Sequence, residues 1–419
     1  MNAGLVKVLN RLGTFLRYRE DGNITIAAAF VAVPVLIGVG VAMDYNRADQ
    51  VRTGLQTALD SAVLAAAEND KKNWKDAASA SYDRNVVDAL TVAGPPEFDF
   101  VKGTYTGRVL AQAETVFLGI AGIKYVQLDV KAAAIPNKLP LCVLGLNAFD
   151  SGAFDMNGNP AFSAPGCVVQ ANSGSTKGMT QEGNPPMAVA AKFGVSGGHT
   201  GRGYKPTPKD GSPAIPDPYA ELPFPDHDPC SGGGSGMTIN SGPVTLPPGT
   251  YCGGLTLKSG AIVTLQPGVY VMVDGSLHLN GGSTLTGKEV MIAFTGSDST
   301  LRVWGNSALD LTSPTSGLYK NFQFFEDNRS ENQGHGAWVS IGGNSGDGSK
   351  AKWDGVAYFP TQNFWVYGSA AIDVNSPGLA LVAGQIWVQG DAAMTVTHDN
   401  PRQVAIDPPM VNSGATLVQ

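Results

Sequence analysis

Charge is scarce in this chain. Asp, Glu, Lys and Arg make up 15% of its 419 residues, well under the quarter usual in globular proteins. The formal balance is −7, which leaves a nucleic-acid role without electrostatic support. Catalytic and cofactor motifs are missing as well. There is no GxSxG, no HExxH and no phosphate-cradling loop, and SGGGSG (231–236) lacks a following Lys-Ser/Thr. His199, His227, His278, His335 and His398 are scattered. Cysteine is limited to four positions with no CxxC pair, which argues against a zinc site. The nearest approach to a metal cluster is Asp226-His227-Asp228 beside Cys230, where hard and soft ligands mix without a recognisable spacing. No cofactor and no metal are expected.

What the chain does have is one long apolar run, Ile24 to Met43, twenty residues without a charge. As a helix it would cover roughly 30 Å, the thickness of a bilayer's hydrocarbon core. Pro34 lies in its middle, which spanning helices tolerate. A cleaved signal peptide has a shorter apolar core, usually about 7–15 residues. Lys7, Arg11, Arg17 and Arg19 precede the run, against Glu20 and Asp21; Asp44, Arg47, Asp49 and Arg52 follow it and cancel. The positive side stays cytoplasmic, so the N-terminus is expected inside and the bulk outside. Within residues 1–22, Leu5, Leu9, Leu12 and Leu16 recur at helical spacing among basic residues. That pattern suits either a basic helix on an anionic leaflet or a tail that only sets topology.

Beyond Met43 the helical pattern continues. Ala48, Val51, Leu55, Ala58, Ala62 and Ala65 form a stripe that Leu59 and Ala66 widen, a small-residue face for packing against the protein's own next helix. That helix is expected over Trp74–Leu90, ended by Gly94-Pro95-Pro96. Phe98, Phe100, Val101, Tyr105 and Val109 suggest strands, Thr115–Gly122 a short helix, and Tyr125 to Pro136 a closing strand. Residues 44–135 thus read as a small α+β module.

Gly22, the apolar span, Asp44 and then LQTALDSAVLAAA (Leu55–Ala67) resemble the N-terminal domain of TadG-like Flp pilus-assembly proteins. Leu55, Gln56, Ala58, Asp60, Ala62, Leu64, Ala65 and Ala66 match that family's segment one by one. The resemblance covers about residues 15–135. It implies a single-pass inner-membrane protein of a tight-adherence pilus or related secretion system, with the bilayer and other envelope proteins of that machine as partners. Many relatives carry a metal-binding adhesion domain that opens with Asp-x-Ser-x-Ser. Here the nearest string is Asp150-Ser151-Gly152, so that mechanism is not carried over. Relatives cut after a glycine have Glu five residues on; after Gly22 that position is Ala27.

Residues 136–235 read as a Gly/Pro-rich connector with short strands at Leu141–Asn147 and Pro165–Ser173. Its proline-dense part, Gly194–Gly236, is expected to be extended chain, a linker or a wrapped cover. Cys142, Cys167, Cys230 and Cys252 can pair in three ways. The sequence-local pairing, Cys142–Cys167 with Cys230–Cys252, is favoured and suits an oxidising compartment.

From 236 to 400 a phrase repeats. Leu246-Pro-Pro-Gly249-Thr-Tyr251 returns as Leu265-Gln-Pro-Gly268-Val-Tyr270, glycine to glycine in nineteen residues. Short strands ended by Gly, Asn, Ser or Asp follow, the pattern of a right-handed parallel β-helix or solenoid. Tyr319–Trp338 reads as a loop excursion, and 401–419 as a tail without an element. Carboxylates of a sugar-cleaving groove would have to come from Asp274, Asp298, Asp310, Glu326, Asp327, Asp354 and Asp373, but no two form a tight motif. Aromatics crowd the last third. Inward-facing ones fill a core; outward ones, with Trp338, Trp365 and Tyr367 the candidates, could stack on carbohydrate or a protein.

The expected organisation is therefore 1–22 basic segment, 23–43 transmembrane helix, 44–135 α+β module, 136–235 connector, 236–400 β-solenoid and 401–419 tail. The expected function is structural or assembly work, with surface adhesion and a polysaccharide-active enzyme as alternatives. A reporter fused behind residue 135 should be active only outside the cytoplasm, and activity confined to the cytosol would reverse the topology.

Overall fold

A computed structural model describes residues 23–69, 73–86, 91–183, 187–230, 234–328, 338–343, 348–398 and 409–418. The basic segment 1–22, with Gly22, lies outside them. The chain divides into two compact units, Met1–Asn137 with Gly414–Gln419, and Lys138–Ser413.

The smaller unit begins with helix α1 (Asn23–Glu68), unbroken across Pro34. Span and alanine-rich stripe are thus one helix of 46 residues, about 70 Å long at 1.5 Å per residue. Its two halves differ. From Phe30 to Met43 the large apolar side chains are exposed, Phe30 at 77% and Leu36 at 67%, and the helix is long and apolar enough to cross a membrane. From Ala48 on, one stripe is buried, with Ala58, Leu59, Ala62 and Val63 fully covered.

Helix α2 (Trp74–Asn85) packs on that stripe; residues 87–90 of the longer helix expected there fall outside the described ones. Strands β1 (Glu97–Val101) and β2 (Thr104–Glu114) form an antiparallel hairpin. Its two turn residues, Lys102 (φ 50°) and Gly103 (φ 84°), are left-handed as such a turn requires. β2 also pairs antiparallel with β3 (Tyr125–Gly145) from Tyr105↔Ala134 to Glu114↔Tyr125. Small residues set the helix-to-sheet distance: a Cβ on Gly107 would sit 2.9 Å from Leu59 Cδ1. The expected helix at Thr115–Gly122 shortens to α3 (Phe117–Ile120).

In the larger unit three columns of short strands run side by side, and within each column neighbours pair in parallel. The first column is Met237–Ile239, Leu255–Leu257, Leu277–Leu279, Leu301–Val303, Trp338–Gly343, Asn363–Gly368, Ile386–Gly390, Phe154–Gly158 and Met179–Glu182. The second runs from Pro243–Leu246 through Ala393–Thr397, then to Ala161–Ala171 and Met187–Val195. The third runs from Gly249–Cys252 through Gly268–Val273, Val290–Thr295, Phe322–Glu326, Val356–Phe359 and Leu381–Ala383 to the end of β3.

These pairings change four expectations. The structural step is set by Leu255↔Leu277 and Leu277↔Leu301, 22 and 24 residues, because a corner must be crossed between columns; Gly249 pairs with Tyr270, not with Gly268. The strands of 141–195 belong to the same columns as 237–397, since Leu381–Ala383 pairs with Val143–Gly145 and Ala393–Thr395 with Ala161–Ser163. The stretch read as a loop at Tyr319–Trp338 contains a ladder strand, Phe322–Glu326, buried throughout. The C-terminal tail contains a strand, Met410–Leu417.

Inward side chains of all three columns make one apolar core. Most strands of the first two columns alternate buried with half-buried or exposed residues, as in LTL, LHL and IVTL. The third does not: Val290–Thr295 and Val356–Phe359 are buried on both faces. Its outer face, with Val271, Met291, Phe322, Phe325 and Tyr358, is covered by the proline-rich strap through Ile215, Tyr219, Leu222 and Phe224. The connector is thus a cover. Proline suits it, because a strap lying across strands has no ladder to complete.

Both expected disulfides are present, Cys142–Cys167 (Cα–Cα 5.4 Å) and Cys230–Cys252 (5.7 Å). The second ties the strap's end to the third column across 22 residues. Replacing Cys230 and Cys252 by Ala should cost about 3 kcal/mol through loop closure alone. The check is the urea midpoint of intrinsic fluorescence under oxidising conditions, and an unchanged midpoint would mean that packing alone holds the strap.

Candidate functional site

On the outer side of the first column one register row reads Thr256, His278, Arg302, Ser340, Trp365, Trp387, Asp155 and Thr180, each paired with the next. Strand alternation puts these residues outward while Phe364, Val366, Ile386 and Val388 fill the core. Trp338 and Tyr367 flank the row, and all four aromatics are half-buried. The structure therefore gathers the three candidates Trp338, Trp365 and Tyr367. It adds Trp387, which pairs across the ladder with Trp365, 22 residues earlier in the sequence.

The rings pack on one another. Trp338 meets Trp387 edge-on at 4.6 Å and Trp365 at 5.6 Å, and Trp365 stacks on Tyr367 at 4.2 Å. Their polar handles are turned inward along the surface. Trp365 Nε1–H donates to Gln389 Oε1 (3.0 Å), Gln389 Nε2 to Asp155 Oδ2 (2.8 Å), and Trp387 Nε1–H to the Gly152 carbonyl (2.8 Å). With the Trp365 and Trp387 indole N–H groups used, the patch offers ring faces with amide and carboxylate neighbours, a chemistry suited to stacking on an apolar sugar face or a protein side chain. Further along the row His278 lies against Trp304 at 4.8 Å, and burial, with Arg302 and Lys258 nearby, lowers its pKa.

Most of the remaining aromatics of the crowded region are core, Tyr319 being half-buried against the strap. Phe322, Phe324, Trp353, Tyr358, Phe359 and Phe364 are all fully buried. The carboxylates are not gathered. On the second column Asp310 and Asp373 are separated in register by Lys352. Asp274 is tied to Ser297 and Asp354 to Ser313 at corners. Among the described residues no group of three His, Cys, Asp or Glu could hold a metal ion, and Asp226, His227 and Asp228 form none.

Glu326 departs from expectation. It ends a strand fully buried, not a solvated loop, and accepts the Thr361 N–H (3.1 Å) and hydroxyl. Burial raises its pKa from 4.5 to about 7, against these bonds and those of Gln362. Nearby, Asp217 of the strap accepts from Tyr358 Oη (2.8 Å) and the Tyr219 N–H (2.9 Å), and burial raises its pKa too.

In the smaller unit the family-motif residues do packing work. Leu55, Ala58, Ala62 and Ala66 are buried, and Leu64 packs at the margin of the same core. Ala65 is half-buried and its carbonyl accepts from Asn69. Gln56 Nε2 donates to Asp60 Oδ1 (2.7 Å) and to the Lys131 carbonyl (3.1 Å), joining helix to sheet. Asp44 is 3% exposed, and its carboxylate accepts the N–H groups of Val116, Phe117 and Leu118 at 2.7–2.8 Å. Nothing in the sequence pairs Asp44 with residues seventy positions on.

A family model described as putative Flp pilus-assembly TadE/G-like matches residues 22–69. Searches of the curated proteins and of solved structures gave no match.

Between pH 4.5 and about 7 the unfolded chain has released the Glu326 proton and the folded chain retains it. The unfolded state then holds fewer protons, so stability falls as pH rises through that window. The whole effect amounts to about 3 kcal/mol. Glu326→Gln should flatten this fall, leaving the part due to Asp217, which has the same sign, and the opposite part due to His278, whose lowered pKa makes stability rise with pH. Urea midpoints from pH 4.5 to 8 measure it, and an identical slope in the variant would contradict it.

Proposed function

We propose that this chain is a membrane-anchored envelope protein with a structural or assembly role in a tight-adherence, Flp-type pilus or a related secretion system. The observation that supports it is the family match at 22–69, which falls on a helix whose first half exposes its apolar side chains and whose second half builds the α+β module. On this reading residues 23–43 cross the inner membrane once, the N-terminus is cytoplasmic, and the larger unit works in the periplasm, where two disulfides persist. The three parallel columns wind as a β-helix, right-handed as nearly all parallel crossovers are. The part of the chain beyond the anchor works as a rigid surface and not by turnover, a reading consistent with carboxylates dispersed along the columns.

Adhesion is the second reading, favoured by the outer aromatic patch. Trp338, Trp365, Tyr367 and Trp387 would stack on carbohydrate or on another envelope protein.

Deleting the gene and scoring pili and attachment separates them. Loss of pili supports assembly, while normal pili with lost attachment supports adhesion. Cells with both intact would sink the two readings together. In the second case, Trp365→Ala with Trp387→Ala should abolish attachment or glycan-array binding while protein level and pili stay normal.

A further inference from the structure

The turn between β2 and β3 is built of apolar residues that the fold leaves uncovered. Val116 is 56% exposed, Phe117 42%, Ile120 85% and Ile123 51%. In water such a cluster of large side chains is costly, at roughly 25 cal/mol per Å² of apolar surface. The turn does not project freely. It lies against α1, where the Phe117 ring covers Gly40 so closely that a Cβ there would meet it at 2.4 Å. Together Val33, Leu36, Ile37 and Val41 of the helix and Phe117, Ile120 and Ala121 of the turn line one apolar groove. Gly40 lies three residues inside the end of the uncharged run, and Val33 lies ten inside, about 15 Å along the axis.

Backbone in hydrocarbon must have its polar groups satisfied internally, and six N–H groups of this turn have such partners. Asp44 takes the three N–H groups of Val116, Phe117 and Leu118. The N–H groups of Ala121 and Ile123 go to the Leu118 carbonyl and that of Gly122 to Gly119. The Thr115 hydroxyl donates to the Ile123 carbonyl. Lys124 and half-exposed Tyr125 follow, the residue types that sit at a membrane–water boundary.

We infer that the turn Val116–Ile123 is a second membrane element, docked on the span by Asp44 and Phe117 and immersed among lipid acyl chains of the leaflet that holds the C-terminal end of the span. The inference rests on Ile24–Met43 being a membrane span. The occupant is lipid because the patch continues the apolar surface of the span without a break. The small unit is thereby held at the bilayer surface by two insertions, not hung from one flexible stem.

The test uses the full chain in phosphatidylcholine–phosphatidylglycerol vesicles. The native cysteines are all in disulfides, so single cysteines introduced by Ile120→Cys, Ile123→Cys, Leu36→Cys and Lys102→Cys can each carry a nitroxide. Labels at 36, 120 and 123 should collide with oxygen and lose collisions with a water-soluble nickel chelate; the label at the hairpin turn, 102, should do the opposite. A lipid-shielded label at 36 with nickel-accessible labels at 120 and 123 overturns the immersed turn and leaves the anchor standing. Labels at 120 and 123 shielded from both reagents overturn it in favour of a covering protein. A nickel-accessible label at 36 overturns the anchor reading and this inference with it. Should Ile120→Cys fail to accumulate, Ile123→Cys reads the same surface.

Discussion

Burial of the third column on both faces is the constraint on which the larger unit depends. Strands such as Val290–Thr295 and Val356–Phe359 send alternate side chains into the common core and the others under the strap. A strand with a solvent face needs alternation; one covered twice needs a continuous apolar run. The strap is therefore structural. It must lie flat over Phe322, Phe325 and Tyr358 without entering their ladders, which explains its proline, and it is held by Cys230–Cys252 at one end and by the Asp217–Tyr358 hydrogen bond along its length. Glu326, buried at the end of one of these strands, is bonded to Thr361 in the turn that follows Phe359.

The smaller unit depends on small residues and one carboxylate. Alanine at 58, 62 and 66 lets α1 approach the sheet and α2, and Gly107 and Gly40 admit neighbours that any side chain would push away. Asp44 sits where the helix leaves its apolar stretch and captures a turn from far along the chain. The family match covers this helix alone. It supports a pilus-assembly setting for that helix, while the strand columns supply a separate surface whose outward row of Trp365, Trp387 and Asp155 exists only because strands far apart in sequence stand in register.

Several features are legible in the sequence. Ile24–Met43 reads as a helix long and apolar enough to cross a membrane, the LQTALDSAVLAAA segment resembles the family whose model matches residues 22–69, and the sequence-local cysteines pair as favoured. Three aromatics with outward exposure were also picked out. Other features were not legible. The nineteen-residue phrase understates the step between paired strands, because the paired positions are offset by two residues from the repeated glycines. Phe322–Glu326 looked like a loop because charged residues abut its aromatics, and only the ladder to Ile292–Phe294 shows that Glu326 is interior. The Gly/Pro-rich composition of 136–235 sets that stretch apart from 236–400, yet its strands between 141 and 195 extend the same columns beyond Thr397.

What the amino-acid order determined by itself is local: where charge is absent, where apolar residues recur at helical or strand period, where proline forbids a ladder, which residues carry a family's pattern. Those depend on neighbours within a few positions. Tertiary structure alone decided which strand pairs with which, which face the strap covers, which carboxylate loses its water, and that Asp44 reaches the turn at 116–118. Each of these depends on chain segments tens to hundreds of residues apart being brought within bonding distance, and no local period encodes that.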